Sequence, residues 1–179
     1  MMKNIHSDFP ILKRKIRGRR LVYLDNAATT QKPKQVMRAM QEFYELHNAN
    51  VHRGIHKLSE EATLAFEQAH ENTAKFIHAN SMKEIVFTRN CSDSINMLAR
   101  MLEPELRRGD ELIVSQMEHH SNLVPWQQLA KRKNASIKWL PLDKKSFLLQ
   151  EEKLQRLLSP KTKIVAITHA SNVLGTIPS

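Results

Sequence analysis

The chain has 179 residues, enough for one domain with a substantial core or for one part of a larger domain. Hydrophobic residues at 41% and charged residues at 26% argue against a disordered chain, and no apolar run is long enough to cross a bilayer. The net charge of +10, from 28 Lys and Arg against 18 Asp and Glu, is compatible with nucleic acid, an anionic ligand or only a basic surface.

The first segment in chain order is a basic N-terminal arm, residues 1–20, whose densest run is Lys13–Arg20. It lacks an apolar signal core, and the single cysteine, Cys91, excludes an internal disulfide framework, so a cytoplasmic location is expected. Such an arm could contact nucleic acid, but no interleaved aromatic residues accompany it. A solvated basic face is therefore favoured over nucleic-acid binding.

The segment after the arm predicts one short strand and two helices. Leu21–Leu24 predicts the strand, and after the loop Asp25–Thr30 the apolar spacing of Gln35–Leu46 predicts the first helix. The second helix is predicted over Ser59–Ile77, with Ser59 as its N-cap. The polar segment between the two helices is predicted to be irregular.

From Glu84 onward, predicted strands and helices alternate with short connections. The strands are Glu84–Thr88, Glu111–Ser115, Ile137–Leu142 and Lys163–Thr168, and the helices are Ser92–Leu102, Asn122–Lys133 and Glu151–Leu158. This alternation is typical of a parallel α/β sheet with right-handed crossovers. Ligands bind beyond the carboxyl ends of such strands, which here selects three loops: Arg89–Asp93, Gln116–Asn122 and His169–Thr176.

The first of these loops has the features of an anion site. Ser92 is predicted as the N-cap of a helix that follows a buried strand, so backbone N–H groups and the helix dipole face the loop. The small side chains of Cys91 and Ser92 allow close approach of a phosphate, and Arg89 adds positive charge. A role of Ser92 as helix cap alone is an equally good interpretation.

The histidines of the chain do not indicate a metal site. His119 and His120 are adjacent, a spacing that seldom faces one metal centre. His52 and His56 are four residues apart, but Gly54 between them favours a bent loop over the helix that such a pair needs. No metal is therefore expected.

The other two loops carry a ring and an amide that could meet a ligand. His119 could stack on a flat cofactor or move protons, although local sequence alone favours a structural histidine. Asn172 could hydrogen-bond a ligand oxygen or only form a turn. Together, the three loops suggest a phosphorylated planar ligand.

Five segments occur in a fixed order along the chain: YLDNAATTQKP, NVHRGIHKLS, VFTRNCSDSIN, SQMEHHSNLVPW and ITHASNVLGT. At these intervals they resemble the N-terminal part of cysteine desulfurases of the SufS/CsdA type. The resemblance implies the α/β fold of fold-type-I, pyridoxal-phosphate (PLP)-dependent transferases, like aspartate aminotransferase, with residues 21–179 as the N-terminal part of the large domain. It also implies a homodimeric class-V aminotransferase relative that removes sulfur from L-cysteine. The products would be L-alanine and an enzyme-bound persulfide, with the sulfur passed to an acceptor protein for iron–sulfur cluster assembly.

The resemblance assigns five cofactor-binding residues. Cys91 and Ser92 match the paired threonines at the cofactor phosphate, and Asp93 matches the acidic residue after them. His119 matches the catalytic histidine that stacks on the pyridine ring. Asn172 matches an asparagine near the phenolic oxygen of the cofactor and near the substrate.

The remaining substrate-binding residues lie in the first half of the chain. Ala27 and Ala28 match backbone that lines the substrate pocket. His52 and Arg53 match a dimer-interface loop that reaches the active site. The resemblance therefore draws the expected site from both halves of the sequence.

Two departures from the family pattern shape the expected activity. The family's phosphate loop reads Arg-Gly-Thr-Thr-Glu, and Asn90 in place of the glycine is expected to restrict a backbone that approaches the phosphate. The Schiff-base lysine, the aspartate at the pyridine nitrogen, the carboxylate-binding arginine and the nucleophilic cysteine would all lie beyond Ser179. The chain alone is expected to be inactive and to hold PLP non-covalently at most. The alternatives are a non-catalytic, partner-binding remnant, and a selenocysteine lyase or other class-V relative.

Overall fold

The structure, a computed structural model, describes residues 5–178 and divides into two compact units. The first unit runs to Val86, and the second begins at Phe87. Residues 1–4 of the predicted basic arm lie outside the described residues.

The first unit consists of short helices and one long helix. Its elements are the 3-10 helices Ile5–Asp8, Pro10–Lys13 and Met82–Glu84, strands β1 (Lys15–Ile16) and β2 (Arg19–Arg20), helix α1 (Lys34–Glu42) with the π-helical turn Phe43–His47, and helix α2 (Lys57–Phe76). β1 and β2 pair antiparallel, so the basic run folds into a hairpin. Its turn uses Arg17 and Gly18, whose φ angles are +51° and +77°.

Leu21–Leu24 forms no strand, so that prediction was wrong. The Leu21 N–H donates to the carbonyl oxygen of Arg14 at 3.0 Å, and the segment then continues as irregular backbone. Apolar alternation indicates only a preference for extended backbone, whereas a strand also needs a neighbouring strand. Among the described residues of the first unit, the only sheet is the hairpin of β1 and β2.

The two predicted helices of the first unit are present, but the N-cap of α2 is His56 and not Ser59. The Nδ1 atom of His56 accepts the Ser59 N–H at 3.3 Å. Ser59 lies in the first turn, 1% exposed, where its hydroxyl donates to the Asn50 carbonyl at 2.7 Å and accepts the Gly54 N–H at 3.0 Å. The serine therefore anchors the preceding loop to the helix.

The strand predicted over Glu84–Thr88 is also absent. Glu84 ends a 3-10 helix, Ile85 adopts extended backbone (φ −97°, ψ 123°), and residues 85–88 form no strand. The boundary between the two units falls within this segment. Its apolar pattern again indicated backbone preference without a strand to pair with.

The second unit alternates helices with strands. Its elements are α3 (Cys91–Met101), β3 (Glu111–Ser115), α4 (Val124–Lys133), β4 (Ser136–Leu140), α5 (Leu154–Leu157) and β5 (Thr162–Ala166), with 3-10 turns at Glu103–Glu105, His120–Asn122 and Glu151–Lys153. The strands are all parallel in the order β4-β3-β5, which confirms the predicted α/β sheet. β3 occupies the predicted range residue for residue, while α4 begins two residues later than predicted, with Pro125 in its first turn.

The core of the second unit covers both faces of β3. Leu112 and Val114 face one cluster, which contains Ala99, Leu106, Trp126, Leu129, Ala130 and Ala166. Ile113 faces the other, with Met117, Leu140 and Leu149. Burial on both faces explains the unbroken apolar run of this strand, and it fixes the sheet edge from which the next loop leaves.

Candidate functional site

The carboxyl edge of the sheet carries a cavity of about 500 Å³. The segment after β3 and the segment after β5 both contribute to its wall, as the parallel topology requires. It is lined by Gln116, Met117, Glu118, His119, His120, Leu142, Phe147, Ser171, Asn172, Val173 and Leu174. Two predicted site residues that lie 53 positions apart in the sequence, His119 and Asn172, are thus brought to one cavity.

The ring of His119 is held at one nitrogen. Its Nδ1 accepts the backbone N–H of Ser121 at 3.1 Å and lies 2.8 Å from the Ser121 hydroxyl oxygen. Because a backbone N–H can only donate, Nδ1 acts as the acceptor and the neutral ring carries its hydrogen on Nε2. The side chain is exposed, so this ring can meet a ligand and exchange a proton through Nε2.

Asn172 stands on a turn that a neighbouring serine holds. The Ser171 hydroxyl oxygen accepts the N–H groups of Val173 at 3.3 Å and Leu174 at 3.0 Å, and the Ser171 N–H donates to the Thr176 carbonyl at 2.9 Å. Ser171 is 7% exposed, whereas Asn172 is exposed. The turn therefore does not depend on the Asn172 amide, which is available to a ligand. The sequence prediction missed Ser171.

Glu118 connects the elements around the cavity. One carboxylate oxygen, Oε1, accepts the Thr168 N–H at 2.7 Å and the Ser115 hydroxyl, and the other, Oε2, accepts the Asn122 amide at 2.8 Å. The side-chain oxygen of Asn122, Oδ1, in turn accepts the indole N–H of Trp126 at 2.9 Å. Sequence reasoning placed Glu118 in the loop without a role, because Thr168 lies 50 positions away.

The N-terminus of α3 is capped by Asn90 and not by the predicted Ser92. The Asn90 side-chain oxygen accepts the Asp93 N–H at 2.9 Å, and the Asn90 carbonyl accepts the Ser94 N–H at 3.1 Å. Cys91 and Ser92 are therefore the first two helical residues, and both are exposed. Their N–H groups are the ones that α-helix geometry leaves without an intrahelical acceptor. The helix cap therefore lies two residues earlier than predicted, and the N–H groups of Cys91 and Ser92 still stand at the helix N-terminus, where an anion can bind.

The expected restriction of backbone at Asn90 is not observed. Asn90 has φ −171° and ψ 173°, an extended conformation that any residue adopts. Asparagine is also a preferred N-cap, which is its role here. The substitution for glycine therefore introduces no strain at this loop.

Arg89 is oriented toward Asp93. Its Nε and Nη2 atoms donate to the two carboxylate oxygens of Asp93, each at 3.3 Å. This contact holds the pKa of Asp93 below its ordinary value of 3.8 and raises the pKa of Arg89. The Arg89 side chain is 86% exposed, so the pair is a surface contact, and its charge is shared with Asp93 instead of being directed only at an anion.

In the first unit, Ala27 and Ala28 lie on an exposed turn. The Tyr23 hydroxyl bridges the turn, lying 3.1 Å from the Asp25 carbonyl oxygen and 2.6 Å from that of Thr29. The turn is closed by the Thr29 N–H, which donates to the Asp25 carbonyl at 3.1 Å. The backbone predicted to line a substrate pocket is therefore fixed by a buttressing tyrosine that the sequence prediction did not single out.

The loop with His52 and Arg53 is bent, as Gly54 predicted. His52 has φ +66°, its N–H donates to the Thr63 hydroxyl at 2.9 Å, and its ring meets Phe66 edge-on at 5.3 Å. Gly54 permits close packing, because a Cβ atom at this position would lie 2.4 Å from the Ser59 Cβ and Oγ. Arg53 is exposed.

The donor set suits a phosphorylated planar cofactor. Cys91 and Ser92 offer two helix N-terminal N–H groups together with a thiol and a hydroxyl, and His119 offers an exposed ring. Both features lie in the second unit, where α3 packs against the turn His120–Asn122. Cys91, Ser92 and Asp93 do not line the cavity that contains His119 and Asn172.

Two other kinds of site have no candidate in the described chain. Within residues 5–178, no group of three or more His, Cys, Asp or Glu residues is placed to hold a metal ion. No helix in the same range has both the length and the apolar character that a membrane span requires.

Comparison with known proteins gives a consistent family. Residues 22–179 match the family model for aminotransferase class-V. A probable cysteine desulfurase of Staphylococcus epidermidis is 48% identical over 175 residues, which are 97% of this chain and 42% of that protein.

Solved structures agree with the sequence matches and confirm the expected fold class. The apo cysteine desulfurase of Thermococcus onnurineus aligns with a TM-score of 0.89 at 37% identity, over 98% of this chain and 42% of that one. The cysteine desulfurase CsdA of Escherichia coli aligns with a TM-score of 0.76 at 42% identity, over 88% of this chain and 39% of that one. The chain thus spans about two fifths of the length of these relatives, and it belongs to the aminotransferase class-V family, with a sequence and fold similar to those of cysteine desulfurases.

Proposed function

We propose that this chain binds PLP and supplies the phosphate-binding and ring-stacking part of a cysteine desulfurase site. The observation that carries the proposal is the cavity at the carboxyl edge of the sheet, which unites His119 and Asn172. The family is PLP-dependent, and the relatives named above are cysteine desulfurases, which supports both the cofactor and the reaction.

The proposed roles in the second unit follow from donors and acceptors. Cys91 and Ser92 bind the cofactor phosphate through their N–H groups and small side chains, and Asp93 keeps Arg89 beside that loop. His119 stacks on the pyridine ring and exchanges a proton through Nε2, because Nδ1 is occupied by Ser121.

Asn172 orients the phenolic oxygen of the cofactor and the substrate through its exposed amide. When bound, PLP supplies the electron sink for chemistry at the Cα atom of the substrate. The overall reaction converts L-cysteine to L-alanine and transfers the sulfur atom to an enzyme cysteine as a persulfide. We assign the sulfur-accepting role to no residue of this chain, because Cys91 belongs to the phosphate loop.

The substrate and partner assignments rest on the resemblance. Ala27 and Ala28 are proposed to line the L-cysteine pocket, and His52 and Arg53 to reach the site from a dimer interface. The bent, anchored geometry of both loops supports these roles. A homodimer or a pairing with a related chain, and a sulfur-acceptor protein, complete the proposal.

The test is an absorbance titration of the purified chain with PLP, followed by dialysis. His119→Asn removes the ring but keeps an oxygen that can accept the Ser121 N–H, so a loss of binding reports on ring stacking alone. His78→Asn is the matched control, because His78 also is exposed and has φ +58°, which asparagine tolerates. We expect His119→Asn to weaken binding about tenfold or more and His78→Asn to leave it unchanged.

The phosphate loop is tested by Cys91→Pro against Cys91→Ala. Proline is compatible with the first helical position and with the extended Asn90 before it, and both variants lack the thiol, so the two differ mainly in the N–H donor that proline lacks. We expect Cys91→Pro to lower PLP affinity about tenfold, and Cys91→Ala to lower it less. Binding that withstands both His119→Asn and Cys91→Pro would place PLP on surface lysines and would favour the non-catalytic alternative.

A further inference from the structure

Four side chains around the cavity form a hydrogen-bond chain with a fixed direction. The Trp126 indole N–H donates to the side-chain oxygen Oδ1 of Asn122 at 2.9 Å, and the Asn122 side-chain NH₂ donates to the Glu118 Oε2 at 2.8 Å. The Glu118 Oε1 accepts the backbone N–H of Thr168 at 2.7 Å and the Ser115 hydroxyl. Trp126 and Ser115 are buried, at 3% and 0% exposure, so both ends of this hydrogen-bond series lie on side chains packed in the core.

The two ends of this hydrogen-bond series determine which group donates and which accepts at each step. An indole N–H and a backbone N–H can only donate, so the Asn122 amide must turn its oxygen to Trp126 and its nitrogen to Glu118. Glu118 must then accept on both oxygens at once. Among side chains of this length, only a carboxylate meets that requirement, since the glutamine amide has one accepting oxygen.

The contacts of Glu118 connect the two loops that carry the candidate site. Glu118 directly precedes His119, and the Thr168 N–H belongs to the segment that leads from β5 to Asn172. Asn122 extends the connection to α4 through Trp126. Glu118 therefore supplies a direct hydrogen bond between the loops after β3 and β5, beside the contact of the Thr176 hydroxyl with the Met117 sulfur.

We propose that Glu118 is the positioning residue of this cavity, holding the loop of His119 and the loop of Asn172 at a fixed separation through paired acceptor contacts. The inference deepens the proposed function and rests on it, because the two residues that it positions are those assigned to PLP. Glu118 acts through its neighbours and takes no part in the reaction.

The variant that tests this role is Glu118→Gln, which keeps the size of the side chain. In one orientation its NH₂ group faces the Asn122 NH₂ group, and in the other it faces the Thr168 N–H. Either orientation places two N–H donors against each other in a partly buried contact, and leaving a donor unsatisfied there is costly. We expect PLP affinity to fall about tenfold or more and the Thr168 amide to exchange faster with solvent.

The compensating variant is Glu118→Gln combined with Asn122→Asp. The carboxylate introduced at position 122 accepts from both the amide NH₂ group introduced at position 118 and the Trp126 indole N–H. The amide oxygen at position 118 then accepts the Thr168 N–H. The double variant keeps the shape and the net charge of the network and reverses one hydrogen bond. Asn122→Asp alone places two carboxylates face to face and is expected to lower affinity.

Two controls separate positioning from general stability. Ser115→Ala removes the hydrogen bonds that the Ser115 hydroxyl makes with Glu118 and with the Met117 N–H but leaves the connections of Glu118 to Asn122 and Thr168, so we expect lower stability to urea and a smaller loss of PLP affinity than in Glu118→Gln. Glu105→Gln changes an exposed glutamate outside the network and should alter neither property.

The readouts are PLP absorbance, the exchange rate of the Thr168 amide, and the ¹H–¹⁵N resonance of the Trp126 indole. Rescue by the double variant of each property that Glu118→Gln loses supports the proposal. A Glu118→Gln chain that behaves like the parent, or a double variant that rescues nothing, overturns it. If the parent chain binds no PLP, the proposed function fails, and the Thr168 exchange and the indole resonance still decide the role of Glu118.

Discussion

In the second unit, the central strand β3 is fully buried from Leu112 to Ser115, whereas the 20-residue helix α2 of the first unit buries only Ser59, Ala62 and Ala74. The first unit also exposes many large apolar side chains: Val22, Leu24, Met40, Tyr44, Ile55, Leu64 and Phe76. Its loops are held by polar anchors such as the hydroxyls of Tyr23 and Ser59. The second unit thus has an apolar core, whereas the first unit buries few apolar side chains among its described residues and anchors its loops by specific hydrogen bonds.

This difference bears on where a ligand site can be precise. The cavity with His119 and Asn172 borders the end of β3, which is packed on both faces, and this packing limits how far the His119 side of the cavity wall can move. The loops with Ala27 and His52 are anchored by a few polar contacts, among them those of the Tyr23 and Thr63 hydroxyls. We therefore expect the second unit to hold its site geometry more rigidly than the first.

The largest predicted effect is on the core of the second unit. Leu112→Ala should lower the free energy of unfolding by about 2–5 kcal/mol, because the side chain is fully buried. Both tryptophans, Trp126 and Trp139, lie in the second unit, so tryptophan fluorescence in urea reports on it. Leu64→Ala, at a position 64% exposed on α2, should cost within about 0.5 kcal/mol by circular dichroism. Equal effects of the two substitutions would remove the contrast between the units.

An intermediate effect is predicted at the loop anchor of the first unit. Gly54→Ala places a Cβ atom 2.4 Å from the Ser59 side chain and should cost about 1–3 kcal/mol, largely by releasing the loop before α2. Amide exchange of residues 50–63 measures that release. Gly18→Asn is the control, since Gly18 has φ +77°, which asparagine tolerates, and open space around it. Unchanged exchange in the Gly54→Ala chain would show that the polar anchor does not hold this loop.

The smallest predicted effect is a pH dependence. Lys138 donates to the Glu111 carboxylate at 2.7 Å, and with the Ser159 hydroxyl it holds the pKa of Glu111 below its ordinary value of 4.5. A lowered folded-state pKa contributes stability that is fully present above the ordinary value and is lost as pH falls through the folded-state value. Urea midpoints by tryptophan fluorescence should therefore decrease as the pH is lowered from about 5 through the ordinary value of 4.5 and below it.

The matched variants for this pH effect lie in the two units. Glu111→Gln should make the urea midpoint measured by tryptophan fluorescence depend less on pH in the acid range. Glu61, whose pKa is lowered mainly by the His47 contact, lies in the first unit, so Glu61→Gln should leave that transition unchanged. A Glu111→Gln chain with the parent's acid response would assign the response to other carboxylates, such as Glu103 beside Arg132.

Local patterns predicted the elements that a core supports. β3 was predicted residue for residue, because an apolar run between turn signals is typical of a strand buried on both faces. The strands predicted at Leu21–Leu24 and Glu84–Thr88 were wrong, since their apolar residues indicated extended backbone but no strand within residues 5–178 pairs with them. Whether a segment has a neighbouring strand depends on the whole fold and cannot be predicted from the sequence of a short segment.

Local sequence also did not predict every detail of the candidate site. The N-cap of α3 was predicted at Ser92 and lies at Asn90, because both residue types are good caps and only the backbone of Asn90 decides between them. Spatial proximity of His119 and Asn172 was predictable from the parallel alternation of strands. The role of Glu118 was not, since it depends on an amide 50 residues later.

The strand order β4-β3-β5 also has a consequence for how the chain is made. Both neighbours of β3 follow it in sequence, so the strand that forms the middle of the sheet is synthesised first and has no partner until Ser136–Leu140 has left the ribosome. Its second edge stays open until Thr162–Ala166 emerges. For that interval the most deeply buried strand of the second unit is exposed to solvent, which makes nascent chains of roughly this length natural clients of chaperones.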